Sequence, residues 1–395
     1  MSDRFSPPPV PKTTMPLPIL FTPGPVRIPS VVATAMAEPP CNYHRQAGFR
    51  EVFGEIQTSL AELLGLRDPA AYFATIMTTT GTGAIEGCMQ AFAALGPGLI
   101  LENGFFGARW VDQAKQNGFA YHALSSPSDQ PIDPAAVAAY LDAHPDIKWC
   151  FYVSHETRMG LVNPMVEIGK ACKARGVMVG ADIISSAFAY PVDIEAAELD
   201  LAVTSSAKAI MAVAGLGIVM VKKASLPALK AVKSERSYYL DVIAETERQM
   251  AEHQPRFAQP VPLYAALHAA CRHMKAIGIG NHMARIQRQM DVVAKHLATY
   301  GCTPLLPRER LSWIAVNFSL PPGIKYSEFA PRMQAEGFFL LYGVPGNESH
   351  FQVSTIGDLT DGDVEGLCRA FDRVLAPIVQ TRAATEAARV HGGAS

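Results

Sequence analysis

The sequence predicts an α/β protein: a large domain built on a mainly parallel sheet with helices on both faces, followed by a smaller α+β domain. Three observations lead there. Short apolar runs alternate with helical periodicities through most of the chain; polar residues cluster where those runs end; and near residue 279 the alternation gives way to one long amphipathic helix and a few strands. With 49% hydrophobic and 18% charged residues over 395 positions, the bulk of the chain has enough apolar surface to fold.

Residues 1–19 and 381–395 show little apolar periodicity and read as a loose N-terminal segment and a disordered tail. Between them, 20–278 are expected to form the large domain and 279–380 the small one. Helical spacing marks 49–64 and 164–175, whereas the apolar runs at 71–77, 99–101, 149–153, 177–180 and 216–221 predict strands. Such runs lack the polar alternation of a half-exposed strand, as befits a sheet covered on both faces. In the small domain 313–318, 338–342 and 350–355 predict strands, and a helix from about residue 361 closes the chain.

Charge narrows the partners. A net charge of −2 supplies no basic field for nucleic acid, and no uncharged stretch is long enough to span a bilayer. The seven cysteines are odd in number, scattered and never in a Cys-x-x-Cys pair, which predicts reduced thiols rather than a disulfide frame or a metal site. The proline-rich start lacks the marks of a signal peptide, so a cytoplasmic protein is expected, with small molecules or its own copies as partners.

In an open α/β sheet ligands sit where strands end, and three such places carry chemistry. Thr78-Thr79-Thr80-Gly81-Thr82-Gly83-Ala84-Ile85-Glu86-Gly87 joins a strand to a helix, and its small residues let N–H groups and hydroxyls close on a phosphate. The same glycines, with Glu102 ending the next run, also imitate a dinucleotide-binding fingerprint, and an ordinary tight turn would look alike. Asp182 ends a buried run, where an isolated charge would be costly and calls for a partner; a protonated pyridine nitrogen is one, a helix cap another. Lys208 follows the apolar 199–203. A partly desolvated amine there loses its proton readily and can form a Schiff base, although a solvated lysine would look the same in isolation.

Together these motifs resemble the class V branch of the fold-type I, pyridoxal-phosphate-dependent aminotransferases, and within it the 2-aminoethylphosphonate:pyruvate transaminases. The resemblance runs from Thr22-Pro23-Gly24-Pro25 through the glycine loop, Asn103-Gly104-Phe105-Phe106-Gly107-Ala108-Arg109, His155-Glu156-Thr157 with Gly160, Asn163-Pro164 and Gly180-Ala181-Asp182 to Ser205-Ser206-Ala207-Lys208, and thins after Pro260. It implies pyridoxal 5'-phosphate as cofactor and a homodimer with active sites at the subunit interface. It further implies that Thr80, Gly81 and Thr82 hold the phosphate, Phe106 stacks on the ring and Thr157 lies beside the phenolic oxygen. Asp182 would meet the pyridine nitrogen, and Lys208 would form the Schiff base and move the proton. Amino transfer between a small amine or amino acid and an oxo acid or aldehyde follows from it.

The departures are as informative. Gln352 stands where the family has an arginine that grips the substrate carboxylate, and an amide cannot form that bidentate pair. Ala207, Met159 and Ala258 replace polar residues of the family pattern. These changes keep a lyase, decarboxylase or racemase on the same scaffold in view, and a non-catalytic descendant as well. His44, Arg45, Arg158 and Gln352 itself are the substrate-site candidates, the first three for meeting an anionic group in place of that arginine.

Overall fold

The computed structural model describes residues 17–39, 43–232, 237–344 and 346–392; most of the N-terminal segment and the last three residues lie outside it. The core is a seven-stranded sheet. Its strands are β1 (Tyr72–Thr78), β2 (Gly98–Glu102), β3 (Tyr121–Ser125), β4 (Trp149–Val153), β5 (Met178–Asp182), β6 (Leu201–Ser205) and β7 (Leu216–Lys222). They lie in the order β1-β7-β6-β5-β4-β2-β3. Only β7 runs antiparallel to its neighbours, pairing Leu216 with Thr78 and Gly217 with Ser205. The ends of β1, β2, β4, β5 and β6 and the start of β7 therefore gather along one edge.

Both faces of the sheet are dry, which explains the uninterrupted apolar runs. Alternate side chains go to opposite sides. Leu99, Leu101, Cys150, Tyr152 and Val179 pack with helices Ala47–Leu63, Met165–Lys173 and Val261–Ile277. Ile100, Phe151, Val153, Val203 and Val219 pack with Ile85, Met89 and Phe92 of the helix Gly81–Ala93. Each fully buried large side chain contributes about 1.5–3 kcal/mol of transfer free energy, and the site sits on this rigid base.

The small domain has its own core, including Val293, Phe318, Phe329, Phe351 and Phe371. Two antiparallel strands, Val316–Ser319 and His350–Val353, pack against the helices Ile279–Ala298, Tyr326–Ala335 and Asp361–Gly392. Two expectations are corrected here. Ile19–Leu20 pairs in parallel with Phe338–Phe339, and Phe21 is fully buried in the small-domain core, so the chain enters the small domain before it builds the large one. At the other end, residues 381–392 continue the last helix, where sequence periodicity suggested a loose tail.

Candidate active site

The edge where the strands end holds a cavity of about 200 Å³, lined by Thr80, Gly81, Thr82, Phe106, Thr157, Asp182 and Lys208. All seven residues expected to bind the cofactor thus meet in one place, although they come from five separate segments of the chain.

Thr80 precedes the helix Gly81–Ala93 in extended conformation and makes no side-chain cap bond of its own. The first N–H groups of a helix have no intrahelical partner, and with the helix dipole they favour an anion. Gly81 leaves room that this packing needs: a Cβ there would come within 2.5 Å of Ile184 Cδ1. The loop is thus pressed against the turn that follows Asp182.

Asp182 closes β5 between Val153 and Val203 and is buried. Its Oδ1 accepts the Ile184 N–H at 2.8 Å. Burial pushes its carboxyl up to about 7, an effect reinforced by Glu156 and opposed by that N–H, Lys208 and Arg109. Lys208 lies in the tight connection between β6 and β7, where Met211 N–H bonds to its carbonyl and Ala212 N–H to that of Ser206. Burial lowers the amine's pKa, with Asp182 opposing. Its Nζ donates to the Pro23 carbonyl at 3.1 Å.

The sequence pointed to His155 and Glu156 only as parts of a motif. Glu156 is fully buried and its carboxylate accepts N–H bonds from Phe106 (3.0 and 3.1 Å) and Gly107 (3.2 Å), capping the helix Phe105–Gln116 that carries Phe106. Burial nevertheless holds its carboxyl up at about 7. The imidazole of His155 faces the Ser185 hydroxyl through Nδ1 at 2.8 Å, and Thr157 Oγ1 donates to the same oxygen at 2.8 Å. Burial, then Lys208, pushes His155 down to about 3, which keeps it neutral; its buried Nε2 has no partner among the described residues. Arg109, three residues after Phe106 and so on the same helix face, also lines the cavity, with its guanidinium 4.9 Å from the Phe106 ring centroid.

None of the four substrate candidates lines this cavity, although Arg158 lies near enough to Lys208 to help lower its amine's pKa. Gln352 is buried, and its Nε2 donates to the Thr157 carbonyl at 2.7 Å, so it braces a cavity residue from behind. Arg158 Nη1 donates to the carbonyls of Tyr342 and Gly343, which ties the large domain to the small one. His44 packs edge-on to Phe49, and Arg45 reaches the Arg256 carbonyl. Glu102, the acid of the dinucleotide reading, bonds to Ser125 at the sheet edge. Of the departures, Ala207 lines the cavity, and Met159 turns into a small apolar cluster with Leu161 and Leu306.

Comparison with known proteins decides the family. The profile described as Aminotransferase class-V matches residues 31–332. The chain belongs to the class-V aminotransferases. Among its relatives, 2-aminoethylphosphonate–pyruvate transaminase of Aeromonas hydrophila is 29% identical over 360 residues, covering 88% of this chain and 93% of that one. A soluble hydrogenase 42 kDa subunit of Anabaena cylindrica is 28% identical over 363 residues, covering 90% and 93%. The fold matches that of alanine–glyoxylate aminotransferase from Nostoc sp. with a TM-score of 0.85 at 24% identity, over 95% of this chain and 98% of that one. This class-V aminotransferase is a pyridoxal-phosphate-dependent transferase of the fold-type I class, and the nicotinamide reading of the glycine loop is set aside.

The cavity fits that cofactor on its own features. It offers a helix start with an uncommitted threonine for a phosphate, a buried carboxyl with a single N–H partner for a ring nitrogen, and an amine with a lowered pKa for an aldehyde. Among the described residues no helix is long and apolar enough to cross a membrane.

Proposed function

We propose that Lys208 carries the cofactor, that Asp182 faces its pyridine nitrogen, and that Thr80, Gly81 and Thr82 hold its phosphate. Phe106 covers the ring, and Thr157 lies beside the phenolic oxygen. The reaction is amino transfer from a small amine or amino acid bearing an acidic group, with 2-aminoethylphosphonate the first candidate, to an oxo acid. The observation that carries this is the convergence of Lys208, Asp182 and the Thr80–Thr82 helix start on one cavity. The 29% identity with the Aeromonas transaminase, over most of both chains, supports the choice of donor.

When bound, pyridoxal phosphate supplies an aldehyde that takes up an amine and a ring that withdraws electrons from the carbon losing its proton. The protein's own residues do the rest. Burial lowers the affinity of Lys208 for its proton, so near neutral pH the amine is better able to accept one at Nζ. Asp182, opposite in charge and buried beside it, stabilises a positive group in a place where water is scarce. His155, kept neutral, leaves the proton traffic to Lys208 while ordering Thr157 through Ser185. Arg109 and Lys208 are the cations lining the cavity, so an acidic substrate group would be met by Arg109.

The reading extends to a homodimer and to the cytoplasm. Tyr238 is 79% exposed, and its neighbour Tyr239 donates to the Thr78 carbonyl beside the phosphate loop, an apolar face suited to a second copy. The six described cysteines are all free, in keeping with a reducing compartment.

Borohydride reduction followed by peptide mapping tests the core of this reading: the cofactor should be fixed to Lys208, and fixation to another lysine overturns it. Incubation with 2-aminoethylphosphonate and no acceptor should then release one equivalent of oxo product per site. Continuous turnover without an acceptor would exclude transamination.

A further inference from the structure

Residues 19–28 reach the cavity from the small domain. Ile19 N–H bonds to the Gly337 carbonyl at 2.8 Å and Phe21 N–H to Phe339 at 3.0 Å, while the Phe21 carbonyl accepts Ser354 N–H at 3.0 Å. Six residues on, the Arg27 carbonyl accepts Asp358 N–H at 2.9 Å and its guanidinium pairs with Asp363. Between these anchors Pro23 and Gly24 touch Lys208, and Val26 packs into the large-domain core. Pro23 offers its carbonyl to Nζ, and Gly24 lies against the lysine stem, where a Cβ would overlap Nζ and come within 3.0 Å of Cδ and Cε. Gly24 also has a φ of 150°, at the limit of the region that favours glycine.

We infer that residues 19–28 are a strap of the small domain that positions the Lys208 amine, with the Pro23 carbonyl as the hold and Gly24 as the space that lets the lysine lie there. The inference rests on Lys208 being the cofactor lysine. Its physical content is that the backbone bonds at Phe21 and Arg27 tie the segment to the small domain on either side of Pro23 and Gly24, and so help to fix an amine belonging to the large one. Loosening the anchor then moves the amine even though the altered residue does not touch it. A carbonyl acceptor also orients the amine without adding a charge beside it, which leaves the electrostatic pairing with Asp182 undisturbed.

The test uses full-length protein stripped of cofactor and then given pyridoxal phosphate, with uptake followed by absorbance and the attachment point mapped after borohydride. Gly24→Ala should slow uptake at Lys208 by about tenfold or more, since a displacement near 1 Å is enough for such losses. Phe21→Ala, which empties a strap anchor in the small-domain core, should slow uptake in the same sense. Phe371→Ala opens a comparable hole in that core away from the strap and should leave uptake unchanged. If Gly24→Ala does not fold, the pair Phe21→Ala and Phe371→Ala decides. Uptake at the wild-type rate in Phe21→Ala, or equal slowing in Phe371→Ala, overturns the strap. Failure of the wild-type protein to attach cofactor at Lys208 would instead remove the functional reading on which it depends.

Discussion

Replacing Glu156 by Gln should change how stability depends on pH, and the size follows from the burial of that carboxyl. Its pKa is 4.5 when free and about 7 in the fold, because burial outweighs the N–H bonds from Phe106 and Gly107. A folded-state pKa above the unfolded one means that the folded protein binds more protons between these values. Stability therefore falls as pH rises from 4.5 to 7 and levels off above. The interval corresponds to about 3 kcal/mol. At pH 4.5 the neutral carboxyl and the amide each present one carbonyl oxygen to the helix, so the two proteins should agree within about 1 kcal/mol. By pH 8 the variant should have gained about 3 kcal/mol relative to the wild type. Asp182 titrates in the same window in both proteins and largely cancels; the part that Glu156 adds to its shift has the same sign. Urea denaturation of cofactor-free protein at pH 4.5, 6 and 8 measures the difference. A difference that stays flat across that range would refute a buried, titrating Glu156.

Asp182→Asn should leave the fold intact but lower the rate of amino transfer by about a hundredfold or more, since an amide cannot hold a charge opposite a ring nitrogen; steady-state kinetics with cofactor in excess checks it. Thr80→Ala should cost about 0.5 kcal/mol or less, because the hydroxyl makes no cap bond, yet weaken cofactor retention measured by dialysis and absorbance. Gln352→Ala strips the Thr157 carbonyl of its buried donor and should lower stability by about 1–3 kcal/mol, seen as a shifted urea midpoint at constant slope.

Five of the seven strands were legible as apolar runs, while β6 was marked only by the apolar 199–203 before Lys208 and not read as a strand. The runs predicting β1, β2, β4, β5 and β7 lie within one or two residues of the strands. β3, one of the two edge strands, escaped because its Tyr-His-Ala-Leu-Ser is half exposed, so no apolar run marks it. The place of Ile19–Phe21 escaped for a different cause: its partners lie more than three hundred residues away, and a short apolar stretch carries no sign of which domain it joins. Asp182 and Lys208 could be read because a charged side chain at the end of a dry strand is a local anomaly. His155 and Arg109 could have been found by register, one two residues before Thr157 and the other one helical turn after Phe106. Gln352 could not, because its meaning lies in a bond to Thr157 across the domain boundary.

That bond changes what the missing arginine means. Taken from sequence, Gln352 was an empty clamp, and Arg158 a candidate to replace it. In the fold both side chains serve the seam between the domains. Gln352 holds Thr157, Arg158 holds Tyr342 and Gly343, and Asn317 Nδ2 donates to the Arg158 carbonyl at 2.8 Å, with its Oδ1 3.4 Å from Gln352 Nε2. An arginine at 352 would have to displace the contact to Thr157 to reach a substrate, which would cost the cavity one of its fixed walls. The seam thus holds the backbone at Thr157, Tyr342 and Gly343, while Arg109 lines the cavity stacked against Phe105 and Phe106, and Arg158 also lies over Phe105. On this arrangement the acid group of the substrate is sought on the side of the cavity bearing Phe106, not on the side facing the small domain. Under the proposed function, a donor such as 2-aminoethylphosphonate, whose acid group is separated from the amine by two carbons, is expected to be discriminated by its reach to Arg109.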